Sequence, residues 1–272
     1  MKRDRKYLQP DVWHAILHKY ILPYRDYGGV RECPPTVIPH KDGEALLNKR
    51  FPEYLQTLSV DPSLKIDIYS HGLLLPRKPD FIPFLGSLPN KVRLMVSFHF
   101  YNHDGSTNDY AATTKYLRET YLAGMPRNIE LIIVSHLIKP MTTQRLEEWK
   151  ESWRDCISAG LTVHCNAAIN PWTGTMEDVA TCHYNGCPYG DMGHLFFGAT
   201  GNVIACCMDL EEEIVFGNVM THDPAEMIAK VDAFYAEQRR LQETKEKVTH
   251  QVCANCFGQK RNDLQQLGVM KA

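Results

Sequence analysis

The sequence predicts an α/β fold built on a parallel sheet, followed by a small cysteine-rich α+β domain. Short apolar segments typical of strands alternate with segments of helical periodicity through residues 11–165. Such alternation indicates successive βα units on a parallel sheet. From about residue 170 the composition changes to Gly, Asn, Pro and Cys, with only short apolar pieces between them. We therefore expect two domains, at residues 1–169 and 170–272.

About five βα units can be assigned along the N-terminal domain. Its strands are predicted at 36–38, 65–69, 92–98, 129–134 and 161–165. Its helices, in which apolar residues recur at helical spacing, are predicted at 11–20, 49–58, 80–85, 108–122 and 143–157. Parallel sheets bind ligands at the carboxyl ends of their strands, so the residues that directly follow strands are the first place to look for chemistry.

The C-terminal domain is predicted to contain a hairpin and a long helix. Apolar pieces at 195–197 and 203–205 flank a turn that contains two glycines, a pattern typical of a β-hairpin. Asp223, Pro224 and Glu226 then supply an N-cap, a proline at the first helical position and a capping-box glutamate. The helix is expected to run to about residue 247. Its predicted inward face carries Met227, Ile228, Val231, Phe234, Tyr235 and Leu241.

Charge and hydropathy exclude several classes of partner. The 272 residues carry a formal charge of −2 without a basic stripe or a polybasic tail, so nucleic acid is not an expected ligand. No apolar run approaches the roughly 20 residues that cross a bilayer, and the first residues lack the apolar core of a signal peptide. We expect a cytoplasmic protein that binds neither nucleic acid nor membrane.

The nine cysteines are unevenly distributed, and their positions predict a metal centre. Six of them fall in the last third of the chain: Cys182, Cys187, Cys206, Cys207, Cys253 and Cys256. The odd total, the lack of a signal peptide and a length sufficient for a hydrophobic core all argue against a disulfide scaffold. Metal binding is therefore the first interpretation of the six. The alternative is that they fill a core as small apolar side chains.

Spacing suggests which thiols could act together. Cys253 and Cys256 form a Cys-x-x-Cys pair that can bind one centre from a single turn, while Cys187 and Cys206 flank the predicted hairpin. Four such thiolates suit either a tetrahedral zinc or a 4Fe-4S cluster, which the ligand count does not separate. Adjacent residues on a strand point to opposite faces, so only one of Cys206 and Cys207 is expected to join a given centre.

The cysteines also belong to a longer ordered pattern. The pattern runs through Cys187-Pro-Tyr, Gly201-Asn-Val-Ile-Ala-Cys206-Cys207-Met-Asp209, Gly217-Asn218-Val219, a capped helix with Arg239-Arg240, and Cys253-x-x-Cys256. This order resembles the SPASM/twitch auxiliary-cluster domain, which follows the catalytic barrel in many radical S-adenosylmethionine (SAM) enzymes. The resemblance covers about residues 182–258. It implies cluster ligands at Cys187, Cys206, Cys253 and Cys256, with Cys182 and Cys207 as substitutes.

Motifs after the predicted strands resemble the same enzymes. Gly43-Glu44 is similar to the GGEP-type motif that holds the amino group of SAM, although Asp42 and Ala45 depart from it. Ser70-His71-Gly72 resembles the Thr-Asn-Gly turn of that family, and Ser97 ends a strand that contributes to its ribose or carboxylate contacts. The resemblance implies an incomplete (β/α) barrel of the radical SAM type. In that barrel, SAM would be positioned by Gly43, Glu44, Ser70 and Ser97.

A radical SAM enzyme also needs a Cys-x-x-x-Cys-x-x-Cys run, and this sequence contains none. Comparison of the motif order places that run, with the first barrel strand, upstream of Met1. In the first interpretation, the chain is part of a longer or split enzyme. Joined to a complementing N-terminal chain, it would cleave SAM to a 5′-deoxyadenosyl radical and modify a peptide or protein. In the second interpretation, the chain is a degenerate homologue that serves as an electron-relay or binding module. A non-enzymatic zinc-binding interaction protein is the competing class.

Overall fold

The computed structural model of the chain describes residues 7–27, 35–40, 44–99, 108–136, 143–166, 187, 193–209, 211–244, 246, 250 and 252–253. Two compact units share these residues. One unit comprises residues 34–169, and the other combines residues 1–33 with residues 170–272. Both units are α/β in content, and each is described by itself.

The first unit is a five-stranded parallel sheet with helices between its strands. Its strands are β1 (Thr36–Val37), β2 (Lys65–Ser70), β3 (Lys91–His99), β4 (Ile129–His136) and β5 (Thr162–Asn166), and they lie side by side in chain order. The intervening helices are α2 (Phe51–Leu58), α3 (Phe81–Ser87), α4 (Ala111–Gly124), α5 (Thr143–Glu151) and α6 (Arg154–Ser158). The α/β class and the parallel sheet predicted from the sequence are confirmed. Parallel strands joined in sequential order by right-handed crossovers place their helices on one face of the sheet.

The two faces of the sheet differ in polarity. On β3, Leu94, Val96 and Phe98 are fully buried. The ring of Phe98 lies 6.0 Å from that of Trp149 on α5 and 5.8 Å from that of Trp153 before α6. Side chains alternate along a strand, so the residues between these three point to the other face.

The opposite face of the sheet carries a charged ladder. Arg93 on β3 donates from Nη1 to Asp67 on β2 at 3.2 Å and from Nε to Glu130 on β4 at 3.1 Å. These three residues are direct register partners across the three strands. Burial raises the pKa of the Asp67 carboxyl, and the charge of Arg93 opposes that rise. One row of this face, formed by Asp67, Arg93 and Glu130, is therefore charged.

The second unit holds a three-stranded antiparallel sheet and the longest helix described. The sheet order is β6 (Phe196–Phe197), β7 (Asn202–Ile204) and β8 (Val215–Asn218), and α7 follows at Pro224–Thr244. The predicted hairpin is confirmed by the antiparallel pairing of β6 with β7. The predicted cap is also present, because Asp223 Oδ1 accepts a hydrogen bond from Glu226 N at 3.1 Å.

The N-terminal helix belongs to this second unit. Helix α1 (Pro10–Ile16) continues into a π-helical turn (Leu17–Ile21) and a 3-10 segment (Leu22–Tyr27). Lys19 Nζ donates to Val219 O at 2.7 Å, and the Tyr20 ring meets the edge of Phe197 at 5.1 Å. The sequence-based division had placed residues 1–33 with the parallel sheet, whereas these contacts attach them to the antiparallel one.

Two predicted helices differ in detail from those observed. The range predicted at 11–20 is helical throughout, but it changes from α-helix to π-helix after Ile16. The helix predicted at 143–157 is divided at Ser152 and Trp153 into α5 and α6. Among the described residues, no helix combines the length and apolar character needed to cross a membrane.

Candidate metal centre

A tight turn after β7 presents two adjacent cysteines. Strand β7 ends at Ile204, and Cys206 and Cys207 follow it, with both thiols partly buried. The backbone N–H groups of Met208 and Asp209 donate to Cys206 Sγ. Hydrogen bonds of this kind favour the thiolate, which is the form that binds metals.

A buried carboxylate fixes the far side of this turn. Asp209 is fully buried, and its Oδ1 and Oδ2 atoms accept hydrogen bonds from Glu213 N at 2.8 Å and Ile214 N at 3.0 Å. Ala205 N donates to Ile214 O at 3.2 Å, which closes the loop onto the start of the turn. The backbone around Cys206 is therefore held from both ends.

Helix α7 places a tyrosine hydroxyl beside the cysteine turn. Tyr235 is buried, and its hydroxyl donates to Ala205 O. Burial is the largest cause that raises the pKa of this phenol. Negative charge on four thiols raises the same pKa further, and these thiols belong to Cys206, Cys187, Cys207 and Cys253. Cysteines from three separate points of the chain thus lie within electrostatic range of one hydroxyl.

The donor set fits a cation-containing group. Burial raises the pKa of the Cys206 thiol, and the charges of Cys207 and Cys253 raise it further, so the thiolates oppose one another's ionisation. A metal centre relieves that repulsion, and sulfur ligands are those that zinc and iron–sulfur clusters prefer. Within the part of the chain that the structure describes, no three His, Cys, Asp or Glu side chains lie close enough to share one metal ion.

The comparison with protein families agrees with this chemistry. Residues 187–257 match the family model of SPASM, an iron-sulfur cluster-binding domain. This part of the chain is a SPASM-type domain. The match begins at Cys187 and includes Cys206, Cys207, Cys253 and Cys256, whereas Cys182 and the parallel sheet lie outside it. No curated protein matches the chain.

Four of the six predicted ligands lie among the described residues. They are Cys187, Cys206, Cys207 and Cys253, and the charge of each affects the pKa of Tyr235. The expectation that Cys206 and Cys207 point apart assumed a strand, but both residues lie beyond the end of β7. Cys182 and Cys256 lie outside the described residues. Tyr235 was predicted only as an inward-facing core residue, since nothing in the helical periodicity distinguishes it from its apolar neighbours.

A second group of polar side chains lies at the carboxyl edge of the parallel sheet. The Glu44 carboxylate accepts hydrogen bonds from Leu46 N at 3.0 Å, from Ser70 Oγ at 3.0 Å to each oxygen, and from His71 N at 2.8 Å. Two of the predicted SAM contacts, Glu44 and Ser70, are therefore in direct contact. Ser97 is buried on β3, and Gly43 lies outside the described residues. The Glu44 carboxylate thus ties the segment after β1 to the end of β2.

Two histidines and a tyrosine extend this edge, and of these only His71 belonged to a sequence motif. The His71 and His99 rings lie 5.0 Å apart between centroids, and Tyr110 Oη accepts from His99 N at 3.0 Å. Burial raises the pKa of Tyr110, and the charge of Glu44 adds to that rise. Gly72 has a φ of 76°, and a Cβ there would lie 2.5 Å from the Val96 side chain, so the turn after His71 requires glycine.

A buried histidine supports the same edge from β1. His40 Nε2 accepts a hydrogen bond from Tyr69 N at 2.9 Å, and its ring packs between Phe51 and Tyr69 at centroid distances of 6.0 and 5.9 Å. Its Nδ1 atom is buried without a hydrogen-bond partner among the described residues. Burial lowers the pKa of His40 to about 4. The chain passes from β1 through Pro39 to His40. There the neutral imidazole takes the place of a backbone carbonyl as the acceptor for Tyr69 N.

Proposed function

We propose that the SPASM-type domain holds one 4Fe-4S cluster on Cys187, Cys206, Cys253 and Cys256, with Cys182 and Cys207 as substitute ligands. The family match to an iron-sulfur cluster-binding domain over residues 187–257, which includes all four of these cysteines, is the observation that carries the proposal. The charges of Cys187, Cys206, Cys207 and Cys253, which all affect the pKa of Tyr235, support it. A cluster bound there supplies one-electron redox chemistry, and the protein supplies thiolates and N–H donors.

The family match favours a cluster over zinc. Thiolates bind both zinc and iron–sulfur clusters, so the donor set does not separate them. The matched domain is one that binds an iron-sulfur cluster. Zinc remains the competing cofactor that an experiment has to distinguish.

Anaerobic reconstitution of the full chain with iron and sulfide tests this proposal. We expect brown protein with about four irons per chain and a broad absorbance near about 400 nm that bleaches on reduction, as thiolate-ligated iron–sulfur centres show. Colourless protein that carries stoichiometric zinc and takes up no iron would contradict the proposal in favour of the interaction protein.

We further propose that the parallel sheet is a sector of a radical SAM-type (β/α) barrel. Five parallel strands in sequential order with helices between them support this, since successive βα units of this kind build (β/α) barrels. In this proposal Gly43, Glu44, Ser70 and Ser97 position SAM. The contact between Glu44 and Ser70 supports the placement of their shared site at the strand ends.

The proposed reaction needs a partner. The sequence contains no Cys-x-x-x-Cys-x-x-Cys run, so a complementing N-terminal segment would supply the cluster that reduces SAM. The proposed product is a 5′-deoxyadenosyl radical that abstracts hydrogen from a peptide or protein substrate. The same missing run favours an electron-relay or binding module as the second candidate function. The coding sequence upstream of Met1 distinguishes the two by the presence or absence of the run.

Calorimetric titration of SAM into the reconstituted chain tests whether SAM binding requires the complementing segment. We expect weak or undetectable binding, because the amino and carboxylate groups of SAM lack the iron that anchors them in the complete enzyme. The Ser70→Ala variant and the exposed control Ser87→Ala should then behave alike. Micromolar binding that Ser70→Ala abolishes and Ser87→Ala keeps would overturn the requirement for a complementing segment.

A further inference from the structure

Tyr235 makes a contact that reaches beyond core packing. Its hydroxyl donates to Ala205 O, and Ala205 directly precedes Cys206. The two residues are 30 positions apart in the chain, so this bond ties the middle of α7 to the start of the cysteine turn. Ala205 is itself buried, which makes the loss of a hydrogen bond at its carbonyl costly.

The restrained turn presents N–H groups to a proposed ligand. Met208 N and Asp209 N donate to Cys206 Sγ, and Asp209 N also lies 3.2 Å from Cys206 O. Hydrogen bonds to cluster sulfurs help to set the reduction potential of iron–sulfur centres, because they stabilise the more negative, reduced state. The orientation of Ala205 O at one end of the turn and of Asp209 at the other decides where these N–H groups point.

The Tyr235 phenol has one proton to donate. That single proton is engaged by Ala205 O. The hydroxyl therefore acts by holding the backbone and takes no part in proton transfer.

We propose that Tyr235 is a positioning residue of the cluster site. Its hydroxyl holds the turn from Ala205 to Asp209 in the conformation that directs two N–H groups at Cys206 Sγ, and so it raises the reduction potential of the bound group. This inference rests on the proposed cluster function.

The Tyr235→Phe variant of the full chain tests the inference, because it keeps the ring and deletes only the hydroxyl. After reconstitution we expect wild-type iron content, a more negative reduction potential in a redox titration, and about tenfold faster loss of iron to a chelator, the effect of one hydrogen bond. The matched control is Tyr20→Phe. Tyr20 is also buried in this unit, but its ring packs on Phe197 away from the cysteine turn.

Several results would overturn the inference. A wild-type potential and chelator rate in Tyr235→Phe would do so, as would equal shifts in both variants, which would indicate general loosening of the unit. A measurement on the wild type guards against a variant that fails to fold. After exchange into D2O, electron–nuclear double resonance of the reduced cluster should detect deuterons coupled to it, and their absence would exclude the N–H contacts. Failure of the wild type to bind iron would instead refute the proposed function itself.

Discussion

Replacement of Cys206 by alanine should abolish iron and sulfide binding by the reconstituted chain. Cys206 accepts two backbone N–H groups and lies among the charges of Cys207 and Cys253, so it is the most constrained thiol of the site. Removal of its sulfur deletes the ligand around which the turn is organised. Iron and acid-labile sulfide should each fall from about four per chain to almost zero, and the absorbance at about 400 nm should be lost.

Two further substitutions make this result specific. Cys156→Ala removes a fully buried cysteine from α6 in the parallel-sheet unit and should leave the iron content unchanged. Cys207→Ala should also keep its iron, because Cys187, Cys206, Cys253 and Cys256 remain as ligands. Full iron content in Cys206→Ala would contradict the assignment of Cys206 as the required ligand in favour of its neighbour Cys207, and loss of iron in Cys207→Ala would move that residue into the primary set.

Acidification should destabilise the parallel-sheet unit by about 3 kcal/mol between pH 6.5 and pH 4 through His40 alone. The folded state holds His40 neutral with a pKa of about 4, whereas the unfolded chain has the ordinary value of 6.5. The unfolded state therefore binds more protons in this window. Stability is fully present above pH 6.5 and decreases as the pH falls towards 4, below which His40 causes no further loss.

Urea unfolding followed by circular dichroism at several pH values measures this effect. A His40→Gln variant is expected to be less stable at pH 7.5, since the glutamine amide replaces the packing and the hydrogen bond of the buried ring only in part. It should also lose less stability between pH 6.5 and 4. His14→Gln, which changes an exposed histidine of α1, should retain the wild-type pH dependence. Identical slopes in the wild type and His40→Gln would contradict the assignment of this transition to His40.

Local sequence patterns were sufficient for the parallel sheet and for the cysteine-rich SPASM-type domain. The strands of the first unit are dominated by apolar residues with short connections, which makes their order predictable from the chain alone. The Cys-x-x-Cys spacing and the position of Cys206 after a hairpin strand are likewise local features. The capped start of α7 could be predicted for the same reason, because Asp223 and Glu226 act within one helical turn.

Such local patterns could not predict contacts between residues that are distant in the sequence. The assignment of α1 to the second unit depends on the bond between Lys19 and Val219, which are 200 positions apart. The role of Tyr235 depends on its contact with Ala205, and helical periodicity marks it only as an inward residue. The strand rule also failed at Cys207, because the end of β7 at Ile204 could not be located to within two residues from composition.

The grouping of residues 1–33 with 170–272 has a consequence for biosynthesis. The parallel-sheet unit is an insertion within the cysteine unit, so its whole length emerges from the ribosome between the two parts that must meet. Helix α1 is synthesised before the parallel-sheet unit and has no β6 or β8 to pack against until that unit has been made. Domains commonly fold in the order of their synthesis. Here the inserted unit can fold first, and the cysteine unit, with any metal it receives, is completed last.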